Sequence, residues 1–171
     1  INMPTLKPSI VLSFLVSIFI SSFSLNTFDA QIRELYLKAL KSDKEIAAFK
    51  KKAEASIKNP LGRAYYGTAL ALEARASSWV GTKVELAKKA SQNLNTAVSQ
   101  NSQDFEIRFL RFSFEHNVPS MLGLSGHVDD DKKFLLDFKG SKPPIKVVIS
   151  GFLSKCEDFT EAEKAKLLKG L

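Results

Sequence analysis

Two histidines, one cysteine and a row of three aspartates are the groups from which a reactive or metal-binding site could be assembled in this chain of 171 residues. Gly123-Leu124-Ser125-Gly126-His127 sets a serine between glycines beside a histidine. A nucleophile elbow needs Gly-x-Ser-x-Gly at a strand-to-helix turn, which holds the serine oxygen clear of the backbone. Here the second glycine is one place early and no strand pattern precedes it, so the segment reads as a flexible turn. His127-x-Asp129-Asp130-Asp131 could surround a cation. Calcium loops, however, alternate their acids with spacers and close on a distant glutamate, whereas adjacent aspartates at the start of a helix cap it and complement its positive end.

His116, just ahead of Asn117 and Pro119, stands at a helix end where an imidazole can serve the last carbonyls. Two histidines and one cysteine leave a tetrahedral transition-metal site short of ligands unless aspartates supply them. Cys156 would act as a nucleophile only if a histidine approached it and its pKa fell. On an apolar helical stripe it reads as a small hydrophobe. No catalytic, cofactor-binding or metal-binding residue is assigned on these grounds. Arg108 and Arg111 stand apart, because they interrupt a helix otherwise too apolar for the surface. They are expected to pair with acids such as Glu106 or Glu115, or else to line a groove that selects anionic partners.

The elements that position these groups are helical throughout. Ile32, Leu35, Tyr36, Ala39 and Leu40 make one apolar stripe. Ser42-x-x-Glu45 has the form of a capping box opening a second helix to about Lys58, with Ile46, Phe49, Ala53 and Ile57 inward. Asn59-Pro60 ends it and starts a third helix to about Ser78, since proline suits a first helical turn. Its inward face is Leu61, Ala64, Tyr65, Ala69 and Leu72, and Gly67 leaves room for a close neighbour. After Trp79-Val80-Gly81, Thr82 can cap a fourth helix with Val84, Ala87, Ser91, Leu94 and Val98 inward.

Phe105 to His116 is apolar on every side, the mark of a central helix. Asn117 to Asp129 is a loop of functional length, followed by a short helix from Asp130 to Phe138. Ile145, Val148, Ile149, Phe152, Leu153 and Cys156 recur with helical spacing, although Val147 to Ile149 favours a strand by propensity; the longer periodicity decides for a helix. Thr160-x-x-Glu163 is a second capping box, opening a last helix that ends near Gly170.

The start of the chain bounds the compartment. From Met3 to Leu25 one cation, Lys7, precedes an uncharged run of sixteen residues containing five serines, with Ser22 and Ser24 placed as a small-x-small cleavage site. This is the form of an export signal, with cleavage expected between 24 and 30. The alternative, a membrane anchor through 10–25, is short for a span of about 20 apolar residues. Removal of residues 1–30 takes away Lys7 and Asp29 together, so residues 31–171 keep the net charge of +7 and form a single domain. Cys156 cannot make an internal disulfide, and is either buried or paired between chains. The cations lie scattered over outward helix faces, at Lys50 to Lys52, Lys88, Lys89 and Lys164 to Lys169. They lack the concentrated stripe that nucleic acid would need, and at most bias the protein towards anionic lipid or polymer.

Two resemblances rest on particular residues. Ala48-x3-Lys52-x2-Ala55-x4-Pro60 and Ala90-x3-Leu94-x2-Ala97-x4-Ser102 share one frame 42 residues apart. The frame resembles the second helix of a tetratricopeptide repeat, with Ser102 where proline is expected and a spacing above that family's period of about 34 residues. The resemblance covers about Ser42 to His116 and implies stacked hairpins with a concave binding face. Glu106 to Phe112, Asn117-Val118-Pro119-Ser120 with Leu122-Gly123, and Asp130 to Leu136 resemble a pattern of small exported bacterial proteins that carry no established activity.

These readings converge on an all-α fold of stacked antiparallel helical hairpins after an N-terminal signal segment, exported to the periplasm or beyond. The expected function is a binding or scaffolding module without catalysis or cofactor, engaging a protein or peptide partner in the envelope. Tyr65, Tyr66, Trp79, Arg108 and Arg111 are its candidate partner-binding residues. The alternative is an envelope enzyme, hydrolase-like, with its site in the 117–131 loop together with Arg108, Arg111, His116 and His127.

Overall fold

Asn59 and Pro60 set the sharpest boundary in the chain. The Asn59 side chain accepts the amide protons of Leu61 at 2.8 Å and Gly62 at 3.3 Å, and Pro60 fills the first helical turn, where no amide is needed. In the computed structural model, which describes residues 29–169, this junction separates the second and third of eight α-helices. They are α1 (29–41), α2 (Ile46–Glu54), α3 (Pro60–Ala76), α4 (Val80–Gln100), α5 (Phe105–Asn117), α6 (Val128–Asp137), α7 (Lys146–Leu153) and α8 (Glu161–Leu168). Among the described residues there is no strand, so the chain is all-α. The expected export signal and its expected cleavage between 24 and 30 lie outside the described residues, apart from Asp29 and Ala30, which belong to α1. No described helix is long and apolar enough to cross a membrane.

α3 and α4 form an antiparallel hairpin whose closeness is set by small residues. A Cβ on Gly67 would lie 2.9 Å from Leu94 Cγ and 3.0 Å from the Ala90 carbonyl oxygen, and Ala64, Ala69, Ala90, Ala97 and Leu94 are fully buried. α1 and α2 cover α3 through Tyr36, Phe49 and Tyr65, whose rings meet pairwise at 5.4 to 5.9 Å. Each such pair contributes about 0.5–1.5 kcal/mol beyond simple burial.

α5 is the central helix its composition implied. Asp104 caps it by accepting the Ile107 amide at 2.9 Å, and Phe105, Ile107, Phe109, Leu110 and Phe112 are all buried. It packs on α3 and α4 on one side and α6 on the other, while Phe112 reaches Phe152 and Phe159 from the α7–α8 region. α7 confirms the helical periodicity: Val148, Ile149 and Leu153 are buried and Val147 is exposed.

Several local expectations need correction. Ser42 makes no side-chain cap, because Asp43–Glu45 form a 3-10 turn in which the Glu45 amide is already given to the Ser42 carbonyl at 3.1 Å. α2 stops at Glu54, four residues early, since the chain tightens through Ser56 to leave residue 59 extended ahead of proline. α4 begins at Val80, so Thr82 lies inside it and caps nothing. α7 ends at Leu153, which places Cys156 in the following turn, buried but not on a helical stripe. The Thr160–Glu163 box forms as written, with both reciprocal bonds.

Candidate functional site

α5 carries an unusual load of buried charge. Glu106, Arg111 and Glu115 are nearly inaccessible on this helix, and Asp131 of α6 is fully buried. Burial of an ion is tolerated only with partners that satisfy its charge and hydrogen bonds, and each of these has them. Arg111 holds Asp131 in a two-point fork, Nε to Oδ2 at 2.7 Å and Nη2 to Oδ1 at 2.8 Å, and its Nη1 donates to Asn95 of α4 at 3.0 Å. Arg108 donates to the same carboxylate, gives its Nε to the Ser102 carbonyl at 3.1 Å and stacks over Phe134 at 4.6 Å. Asp131 thereby accepts from two guanidinium groups.

Glu106 faces the opposite way, towards α1 and α3. Arg33 donates to it through Nε at 2.9 Å and Nη2 at 2.6 Å, and the Tyr65 hydroxyl donates to its Oε1. Burial, followed by the nearby Glu106 charge, pushes the Tyr65 phenol well above the usual range, and Tyr36 is raised by the same two causes. Glu115 closes the series. It accepts the His127 backbone amide at 2.7 Å and meets His127 Nδ1 at 2.8 Å, so a glutamate from α5 caps the start of α6.

This network relocates several expected site residues. Arg108 and Arg111 do pair with acids, but with Asp131, not with Glu106 or Glu115, which face other partners. Asp131 is no helix-capping acid: Asp129 and Asp130 are exposed while Asp131 points into the interior. Tyr65 is fully buried and Arg111 is 5 % exposed, so neither offers surface to a partner. Tyr66 is half-buried against the core, and Arg108 is engaged as described. Trp79 alone of the five stands free, 79 % exposed beside Val80 at 74 % on the α3–α4 turn. A signal for Asp131 was present in the sequence: with Val128, Leu135 and Phe138 it occupies one stripe of α6, where a carboxylate belongs only if a cation meets it.

Three further features complete the inventory. A cleft of about 370 Å³ is bounded by Arg33, Asp104, Phe105, Glu106, Phe138 and Lys142. Its cations are engaged, Arg33 by Glu106, and Lys142 by the Leu167 and Lys169 carbonyl oxygens at 2.6 and 2.7 Å that end α8. The loop between α5 and α6 is shorter than the expected 117–129, because α6 already starts at Val128; it turns through the 3-10 segment Ser120–Leu122 and through Gly123, whose φ of 63° favours glycine. At the far end of α5, His116 Nδ1 meets Asp158 Oδ2 at 2.8 Å, close to the buried Cys156 thiol, whose pKa burial pushes up. No protein-family model, curated protein or solved structure matches this chain.

Proposed function

We propose that this chain is an exported helical scaffold that engages a protein or peptide partner in the cell envelope through the tip of the α3–α4 hairpin, without catalysing a reaction. The observation that carries this reading is the exposure of Trp79 and Val80 side by side; the other exposed large apolar side chains among the described residues, Leu40, Met121 and Val147, each stand apart in the sequence. Tryptophan at the centre of an interface is the residue type most often responsible for affinity. The antiparallel α3–α4 hairpin, with its small-residue contact, supports a tetratricopeptide-like stacking over about 42–116, in which such a tip would be a presented edge. Export rests on the Met3 to Leu25 pattern, and the surplus of cations adds a weak pull towards anionic lipid or polymer.

The same observations weigh against a hydrolase in the 117–131 loop. His127 is engaged by Glu115 and Asp131 by Arg108 and Arg111, which leaves Asp129 and Asp130, exposed at the start of α6, as the loop's remaining ionisable groups. The test is capture of partners from the native envelope by the tagged chain and by Trp79→Ser, each under a salt wash. A salt-resistant partner held by the parent and weakened by roughly 30-fold in the variant, the effect of losing an anchor of about 2 kcal/mol, supports the tip as the contact. Equal retention by both chains overturns it. Because Trp79 is the single tryptophan, its emission gives a second reading: a blue shift on adding the captured partner is expected, and an unchanged spectrum counts against the assignment.

A further inference from the structure

Three donor side chains of different chemistry meet where α5 ends. His116 comes from the last turn of α5, Cys156 from the turn after α7, and Asp158 from the segment leading to α8. One ligand atom from each lies within 4.8 Å of the other two. The group has a closed floor and an open mouth: Cys156 is 2 % exposed, whereas the side chains of His116 and Asp158 are 24 % and 50 % exposed. The imidazole is held between rings, parallel to Phe112 at 6.0 Å and edge-on to Phe152 at 5.4 Å.

We propose that His116, Cys156 and Asp158 bind one divalent ion of the zinc class, with a fourth coordination position left to water. Tetrahedral coordination at bond lengths of about 2.0–2.3 Å places ligand atoms about 3.3–3.6 Å apart. Three donors already within 4.8 Å therefore close on an ion through small side-chain rotations, for which the half-exposed Asp158 has room. The donor set selects the metal. Sulfur and imidazole nitrogen suit zinc-class ions, while calcium and magnesium require oxygen ligands. Charge is also matched, since a thiolate and a carboxylate neutralise a divalent cation.

A nucleophilic triad uses the same residue types, but its substrate would have to reach a sulfur that is 2 % exposed. An ion needs only the donors. Once bound, it ties the end of α5 to the α7–α8 turn, a join otherwise made by Phe112, Phe152 and Phe159. The site stands independently of the scaffold reading, because it shares no residue with the Trp79 tip.

The experiment is a titration of the full chain with Co(II), read by absorbance. One equivalent is expected to produce a thiolate-to-cobalt charge-transfer band together with the intense visible bands of four-coordination. Zn(II) should displace them and raise the melting temperature by mass action. Cys156→Ser should abolish the charge-transfer band, and His116→Ala and Asp158→Asn should each weaken binding by roughly tenfold or more. His127→Ala, whose partner is Glu115, should bind as the parent does. Circular dichroism of each variant shows whether the fold is kept, and Asp158→Asn, an exposed isosteric change, decides if another variant unfolds. Absence of the charge-transfer band in the parent, its persistence in Cys156→Ser, or unchanged affinity in both His116→Ala and Asp158→Asn would overturn the proposal.

Discussion

The α3–α4 and α5–α6 pairs join neighbouring helices by opposite means. α3 meets α4 through absence of side chain: Gly67 lies against Ala90 and Leu94, with Ala64, Ala69 and Ala97 buried nearby, and close backbone approach gains dispersion along the whole contact. α5 meets α6 through charge, because Asp131 enters the interior and takes two guanidinium groups with it. The first joint tolerates error in chemistry but none in volume. The second tolerates little change in charge, since a buried ion pair adds modest net stability when intact and becomes costly when one partner is lost.

Loss of one partner should accordingly have the largest effect. Asp131→Ala leaves Arg111 buried without a counter-charge and should lower stability by about 3–5 kcal/mol in urea unfolding. The paired change Arg111→Met with Asp131→Leu should recover most of that loss, because well-packed apolar residues commonly replace a buried pair without penalty. Failure of the pair to recover would mean that the joint depends on Arg108 and Asn95 as much as on the Arg111 fork.

A second buried carboxylate, Glu106, joins α5 to α1 and α3 and gives that contact a pH signature. Tyr65→Phe removes a hydroxyl donated to buried Glu106 and should cost about 1.5–3 kcal/mol. The Tyr65 phenol is raised well above its ordinary value, so the folded state holds this proton more tightly than the unfolded state. Stability from this source is therefore fully present below about pH 10, the unfolded tyrosine value, and is lost as pH rises above it. Urea midpoints should fall steeply beyond that point, on top of a shallower loss from about pH 8.5 that belongs to the Cys156 thiol, which burial also raises. Tyr65→Phe should flatten the steep fall in part, with the remainder belonging to Tyr36, which is raised in the same direction. An equally steep fall in the variant would remove Tyr65 from the account.

The shape-held joint should break next. Gly67→Val places a branched side chain against Leu94 Cγ and the Ala90 carbonyl, neither of which can retreat without separating the helices. Overpacking of this kind costs about 1–3 kcal/mol. A loss below that range would show that α4 can slide outward, and that the hairpin is less tightly determined than the α5–α6 pair.

The contrast also explains what could be read without coordinates. Small-residue packing leaves a periodic trace, so Gly67 and its alanines announced a close neighbour, and the all-apolar character of Phe105 to Phe114 announced a central helix. Buried ion pairs leave only half a trace. Arg108 and Arg111 were conspicuous in an apolar helix, but their partner sits 20 residues or more away and looked like the third acid of a helix start. Its place on the stripe with Val128, Leu135 and Phe138 was legible, while the packing of α6 on α5 that brings it to Arg111 was not. The His116, Cys156 and Asp158 cluster was hidden for the same reason. Two segments far apart in the sequence supply it, the end of α5 and the α7–α8 connection, and the Cys156-x-Asp158 spacing alone marks no site.

The two capping boxes separate local pattern from tertiary context at the smallest scale. Both have the same residue logic, serine or threonine followed three places on by glutamate. Thr160 Oγ1 accepts the Glu163 amide at 3.3 Å and the Thr160 amide reaches Glu163 Oε2 at 2.9 Å, a contact that holds the Glu163 carboxyl below its ordinary pKa. Ser42 makes no such bond, because a 3-10 turn has already taken the amide it would serve. Thr160→Ala should therefore cost about 1 kcal/mol, and Ser42→Ala should fall within about 0.5 kcal/mol of the parent, both read as urea midpoints by circular dichroism. A matching loss at Ser42 would mean that the serine oxygen caps α2 in solution after all, and that the first box, like the second, follows its sequence pattern without regard to the turn beside it.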